Sequence, residues 1–273
     1  QAAQRKAAWA DGARRGAHEI KTPLTPIQLA AERLKRRFLK EIHSDPETYT
    51  QLVDTIVRQV GDIGRMVDEF SAFARMPQPV MQPEDFSRLC REALVLQRNA
   101  HPEIVFETTG LPPSGPIVRC DRRLIGQALT NLLQNAADAI SMAGRGKPGE
   151  NASGQPVQPI GHIVVGLHIR SGHVLLDIED DGIGLPTVER HRLTEPYVTH
   201  KAKGTGLGLA IVKKIMEDHS GMLQLTDRAP DQSRGASPGQ RGTRVTLSLP
   251  LWEQESHVPV GTDLQTMRTA DGT

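Results

Sequence analysis

Ala17-His18-Glu19-Ile20-Lys21-Thr22-Pro23-Leu24-Thr25-Pro26 is the stretch on which the reading of this chain turns. It lies in a longer periodic run. Apolar residues fall at Ile20, Leu24, Ile27, Ala31, Leu34 and Phe38, a 4,3,4,3,4 spacing that makes an a/d seam on a helix. At about 100° per residue, His18 lies roughly 160° from that seam and faces solvent, with Thr22 one turn on along the same face. A histidine satisfied in a core would sit on the seam. What stands against a functional histidine is then a surface one without a role. The prolines favour function, because a mid-helix proline costs about 3 kcal/mol or more. Pro23 leaves the Glu19 carbonyl without its helical donor and is expected to bend the helix beside His18. Neutral imidazole is a nucleophile near pH 7, and a neighbouring carboxylate such as Glu19 can orient it and take its proton.

Downstream, His43-Ser44-Asp45-Pro46-Glu47 breaks the helix, with Ser44 or Asp45 as N-cap of the next one. A second seam follows at Val53, Ile56, Val60, Ile63, Val67, Phe70 and Ala74. Residues 1–77 therefore read as an antiparallel helical hairpin. A lone hairpin covers one side of each seam, so two copies are expected to form a four-helix bundle. Met76-Pro77-Gln78-Pro79 opens a linker over 78–84. An α/β domain follows over 85–252, and residues 253–273 read as a disordered tail. Within the domain, helices are expected at 85–100, Arg122–Ala143 and after Gly206. Strands are expected at Ile104–Thr109 and Pro116–Asp121 around the turn Leu111–Gly115. A hairpin of Ile163–Ile169 and Val174–Asp180 turns at Arg170-Ser171-Gly172, and further strands fall near Met222–Thr226 and Thr243–Leu249. Gly144–Gly161 and Ala229–Gly242 read as low-complexity insertions.

Composition narrows the function. The 273 residues carry 33 Lys+Arg against 32 Asp+Glu, and only 3% are aromatic, which argues against a dedicated nucleic-acid surface. No run of 18 apolar residues occurs and no signal peptide opens the chain. The start at Gln1 without Met suggests a fragment whose missing part could hold a membrane anchor. Cys90 and Cys120 offer neither a disulfide framework nor metal spacing and read as small, reduced, buried residues.

A second constellation lies in the α/β part. The helix Arg122–Ala143 has an apolar face and, opposite, the stripe Gln127, Asn131, Asn135 and Asp138. Such a stripe is commonly just a solvated face, yet amide oxygens can also ligate Mg²⁺. On the strand before Asp181, Asp180 shares the parity of Val174, Leu176 and Ile178. A carboxylate on a buried face wants a donor, and an adenine amino group would serve. Asp181-Gly182-Ile183-Gly184 follows, where glycines permit close backbone approach. Gly204-Thr205-Gly206-Leu207-Gly208 leads into an apolar helix whose N-terminal N–H groups suit phosphate, with Lys201 and Lys203 adding charge. Each glycine motif is weak alone, and neither is a P-loop or a Rossmann fingerprint.

In this order and spacing the motifs resemble the catalytic portion of the sensor histidine kinases of two-component signalling, and more narrowly those of nitrogen regulation. The resemblance covers roughly residues 10–252: His18–Pro23 resembles the H box, Asn131–Ala136 the N box, Asp180–Gly184 the G1 box and Gly204–Gly208 the G2 box. It implies an α+β protein, a dimeric four-helix bundle followed by an ATP-binding sandwich of the histidine kinase/gyrase/Hsp90 type. It also implies that His18 is the phosphoacceptor, Glu19 its base and Thr22 the residue that positions water for dephosphorylating a partner. Asn135 would bind Mg²⁺ and Asn131 would support the phosphates of ATP. Asp180 would bind adenine, with Thr243 near it. Gly182, Ile183, Gly184, Lys201, Lys203, Gly204, Thr205, Gly206, Leu207 and Gly208 would shape the ATP pocket and its lid. The implied partner is a response-regulator receiver domain, NtrX-like, and the implied setting is the cytoplasmic side of a bacterial inner membrane. The family usually carries Phe in the lid before Glu-Pro. Here Leu193-Thr194-Glu195-Pro196-Tyr197 has Thr194, with Tyr197 as a substitute aromatic. Two rivals remain: a gyrase/Hsp90/MutL-type ATPase, which would release phosphate without labelling itself, and a kinase-like scaffold that only dimerises.

Overall fold

The computed structural model describes residues 2–144, 159–199, 201, 204–228 and 242–252, with side chains from residue 16 onward except that of Ala72. The larger part of both insertions, Lys203 and the 253–273 segment lie outside the described residues. Helix α1 (Ala2–Phe38) runs through Pro23 and Pro26 without interruption. Helix α2 (Pro46–Ala74) starts as the sequence indicates. Asp45 is its N-cap and accepts from the Thr48 N–H at 3.0 Å, and Pro46 sits in the first turn, where its missing N–H is harmless.

The two helices pack along only part of each seam. Ala17, Ala31, Val53, Val60 and Val67 are buried, whereas Ile20, Ile27, Leu34, Ile56 and Ile63 are 40–49% exposed. Each seam thus splits into a stripe of mainly small residues that closes the hairpin and a stripe of large residues left outside.

The second unit is a two-layer α+β sandwich. After β1 (Gln82–Asp85) come α3 (Phe86–Ala100), β2 (Ile104–Thr109), β3 (Ile117–Cys120) and α4 (Arg122–Met142). They are followed by β4 (Gly161–Arg170), β5 (His173–Asp180), a short 3-10 turn (Arg190–Thr194), α5 (Gly208–Asp218), β6 (Met222–Asp227) and β7 (Thr243–Pro250). Five strands form a mixed sheet in the order β2-β4-β5-β7-β6, and β2–β4 is its parallel pair. Ile163, Val165, Val174, Leu176, Ile178, Val245, Leu247 and Leu249 alternate inward, meeting Leu89, Leu129, Leu132, Leu133, Ile140, Val212 and Ile215 of α3, α4 and α5. The other sheet face is polar, with the Arg244 guanidinium donating to Glu179 at 2.8 Å.

One expectation is corrected. Residues 82–84, expected in the linker, form with Asp85, expected at a helix start, a strand antiparallel to β3, pairing Gln82 with Cys120 and Asp85 with Ile117. The strands expected on either side of Leu111–Gly115 are both present and do not pair with each other. β2 joins the five-stranded sheet and β3 the small one, so that turn carries the chain between sheets. The cysteines are free and buried, and burial pushes both thiols up to about 12.

Candidate functional site

Helix α4 is anchored at its start, and that fixes its polar stripe. The Asp121 carboxylate accepts from the N–H groups of Arg123 and Leu124 at 3.0 and 3.1 Å, and its second oxygen accepts from Val80 N–H at 3.0 Å. The Asp121 N–H in turn donates to Nε2 of buried His219, leaving Nδ1 to donate to the Ile215 carbonyl at 2.7 Å. With α4 pinned to α5 in this way, its stripe faces a cavity of about 830 Å³ between α4, the end of β5, the lid segment and the start of α5. Such a volume suits a small-molecule ligand.

Gln127, Asn131, Asn135 and Asp138 all line the cavity, as do Asp180, Ile183, Gly184, Lys201, Gly204, Thr205, Gly206, Gly208 and Thr243. Two expected pocket residues do not. Leu207 is fully buried in the core. A Cβ on Gly182 would stand 2.5 Å from the backbone of Ala139, so that glycine lets the loop close against α4, where Ile183 N–H donates to the Ala139 carbonyl at 3.2 Å.

Asp180 is 4% exposed. Its Oδ1 accepts from Gly182 N–H at 2.9 Å and Thr243 N–H at 3.4 Å. Burial first, and then the neighbouring Asp181 charge, push its carboxyl up to about 6 against those two N–H donors and Arg228. The consecutive aspartates divide their work: Asp181 accepts from His162 N–H at 2.9 Å and ties β4 to the loop, while Asp180 faces the cavity.

At the opposite end, α5 begins at Gly208 with no side-chain cap, leaving its first N–H groups for a ligand. Gly206 has φ +71°, and a Cβ there would meet the Tyr197 backbone at 2.6 Å. Lys201 extends its ammonium to Asn135 Oδ1 at 2.7 Å and Asp138 Oδ2 at 2.6 Å. Two oxygens that already share one cation form a donor set that fits a hard divalent ion, which completes its shell with water and phosphate. Leu193 is buried and lines the cavity, whereas Tyr197 is half exposed and its ring lies 5.9 Å from that of Phe70 on α2. The substitute aromatic therefore packs against the hairpin.

His18, Glu19 and Thr22 are exposed on α1 and lie outside the cavity. Thr22 Oγ1 donates to the His18 carbonyl at 2.7 Å, and Lys21 one residue before it pairs with Asp68 of α2 at 2.7 Å. The hairpin residue that does reach the cavity is one the sequence did not single out. Glu69 lines it and accepts a 2.5 Å hydrogen bond from Thr205 Oγ1, across 136 positions of chain that no local pattern spans.

Comparison with known proteins assigns both units. Residues 16–79 match the His Kinase A (phospho-acceptor) domain, and residues 120–253 match the Histidine kinase-, DNA gyrase B-, and HSP90-like ATPase family. The chain is 52% identical over 90% of its length to the Nitrogen regulation protein NtrY of Azorhizobium caulinodans, of which it covers 29%. Among solved structures, it resembles the mycobacterial sensor histidine kinase MprB at 31% identity and TM-score 0.50, over 63% of this chain and 98% of that one. A histidine kinase ThkA crystallised with the response regulator TrrA shares the fold at TM-score 0.58 and 23% identity, over 91% of this chain and 64% of that one.

Proposed function

Since the chain belongs to the sensor histidine kinase family as part of its catalytic portion, we propose that it transfers the γ-phosphoryl group of ATP to an imidazole nitrogen of His18 and passes it to an aspartate of a response-regulator receiver domain. What supports this is an exposed histidine on the hairpin together with a cavity of about 830 Å³ on the sandwich, lined by Asn131, Asn135 and Asp180. Asp180 accepts from the adenine amino group beside Thr243. The open start of α5, Gly204, Thr205 and Gly206 receive the phosphates, supported by Asn131. Asn135 offers its amide oxygen to Mg²⁺, which when bound neutralises phosphate charge; phosphoryl transfer depends mainly on such positioning and neutralisation. Glu19 takes the imidazole proton. Thr22 turns from the His18 carbonyl to orient water when the partner is dephosphorylated.

His18 lies outside the cavity, so transfer requires the sandwich to leave its contacts at Glu69 and Phe70 or to serve the hairpin of a second chain. The exposed stripe Ile20, Ile27, Leu34, Ile56 and Ile63 supports a homodimer closed as a four-helix bundle. The resemblance to NtrY supports an NtrX-like regulator, a role in nitrogen signalling and a whole protein held at the bacterial inner membrane. No described helix is long and apolar enough to cross a membrane.

Incubation with γ-labelled ATP tests the reading. Wild type takes up acid-labile, alkali-stable label. His18→Ala takes up none while still binding nucleotide. Label persisting on His18→Ala would remove the phosphoacceptor assignment, and free phosphate without any labelled chain would favour a gyrase-type ATPase.

A further inference from the structure

The cavity already holds a cation of its own. Lys201 Nζ sits between Asn135 Oδ1 and Asp138 Oδ2 at 2.7 and 2.6 Å. Those two residues are three apart on α4 and share a face. The carboxylate is further fixed, because Gln134 Nε2 donates to Asp138 Oδ1 at 2.9 Å and leaves Oδ2 turned to the cation. We propose that Asp138 is a second oxygen of the divalent-cation site and that Lys201 fills this site until a nucleotide brings the metal. The proposal rests on the nucleotide reading above and goes further in naming a second oxygen and a resident competitor.

Three physical points carry it. An ammonium and a divalent ion on the same two oxygens would stand within a few ångströms of each other as like charges, so they exclude one another. The Lys201–Asp138 pair is partly open to solvent, 29% and 38% exposed, and such pairs are weak enough to exchange. Lys201 is also tied into the glycine loop. Its N–H donates to Thr199 Oγ1 at 3.1 Å, and its carbonyl accepts from Gly204 N–H at 3.2 Å. Release of the ammonium therefore frees a positive charge on the segment that leads into Gly204-Thr205-Gly206, where phosphates are to be received. Replacing one positive charge with two also suits the arrival of a polyphosphate. Nucleotide-free chain should accordingly have little affinity for a divalent ion alone.

Mn²⁺ titration of the nucleotide-free chain, followed by the electron paramagnetic resonance of free Mn²⁺, tests this. Lys201→Met should bind one Mn²⁺ at least about tenfold more tightly than wild type, since the competing ammonium is gone. Adding Asp138→Asn to it should cancel the gain, and Lys201→Arg, which keeps a cation in place, should behave as wild type. Equal Mn²⁺ affinity for wild type and Lys201→Met, or a gain that survives Asp138→Asn, overturns the proposal. Titration of the same variants with a fluorescent ATP analogue in EDTA separates the two levels. If nucleotide binds but the Mn²⁺ gain is missing, only the exchange is wrong. If no variant binds nucleotide, the pocket reading fails and takes the exchange with it.

Discussion

Substituting Asp180 by Asn should make the protein more stable and less able to bind nucleotide. Asp180 is held in the cavity wall, where it accepts from Gly182 N–H and Thr243 N–H, and burial raises its carboxyl from 3.8 to about 6. At about 1.4 kcal/mol per unit, keeping it ionised in the folded state costs on the order of 3 kcal/mol above pH 6. The sign follows from proton counting. Between about pH 4 and 6 the folded state binds more protons than the unfolded one, so this group's contribution becomes less favourable as pH rises through that window and stays so above it. Asn keeps an oxygen for Gly182 and Thr243 and removes the charge. Urea denaturation of the nucleotide-free protein at pH 8 should therefore show Asp180→Asn more stable by about 1–3 kcal/mol, with the gain shrinking towards zero near pH 4. In thermal scans the same gain corresponds to roughly 2–4 °C per kcal/mol for a domain of this size. Nucleotide reverses the order: an amide NH₂ facing the adenine amino group pairs a donor with a donor, so ADP should stabilise wild type and not the variant. A variant less stable than wild type at pH 8, or one stabilised by ADP as fully as wild type, would refute the reasoning.

Other outcomes follow from the hairpin. Glu69 places a carboxylate at the phosphate end of the cavity against Thr205, so Glu69→Ala should raise affinity several-fold for ATP, less for ADP and not at all for adenosine, with the gain fading at high salt; equal changes for all three would contradict this. Ile27→Asp combined with Ile63→Asp should halve the mass seen by sedimentation equilibrium while the hairpin stays helical by circular dichroism, because both residues lie on the outer stripe and neither is buried within the chain.

What could be read from the sequence was what local periodicity encodes. Heptad spacing located α1 and α2, Asp45-Pro46 fixed their junction, and strand parity placed Asp180 on a buried face. What could not be read depends on partners distant in the chain. Gln82-Pro83-Glu84-Asp85 has no β-forming pattern of its own and becomes a strand only because Ile117–Cys120 pairs with it. Leu111–Gly115 has the composition of a hairpin turn, yet β2 finds a better neighbour in β4, which it meets in parallel register across α4. The stripe on α4 announced the cavity. The cation on Asn135 and Asp138 comes from Lys201, more than sixty positions away.

In the proposed dimer, the split of the hairpin seam would leave His18 accessible with a second chain bound. Within α1, Ala17, Leu24 and Ala31 recur every seven residues, the alanines buried and Leu24 partly so, in a hairpin whose α2 buries Val53, Val60 and Val67, whereas Ile20, Ile27 and Leu34 recur on an exposed line beside them. At about 100° per residue, Ile20 lies roughly 60° to one side of Ala17 and His18 roughly 100° to the other. A second chain seated on the isoleucine line thus approaches α1 some 160° away from the imidazole. Both apolar stripes can be filled, one by α2 of the same chain and one by another copy, and the histidine still points into water. A helix with a single broad apolar face could satisfy one neighbour this way. Two narrow stripes set to the same side of His18 can satisfy two, and in the proposed dimer they would leave the opposite side free for the nucleotide-bearing lobe and receiver domain of the proposed reaction.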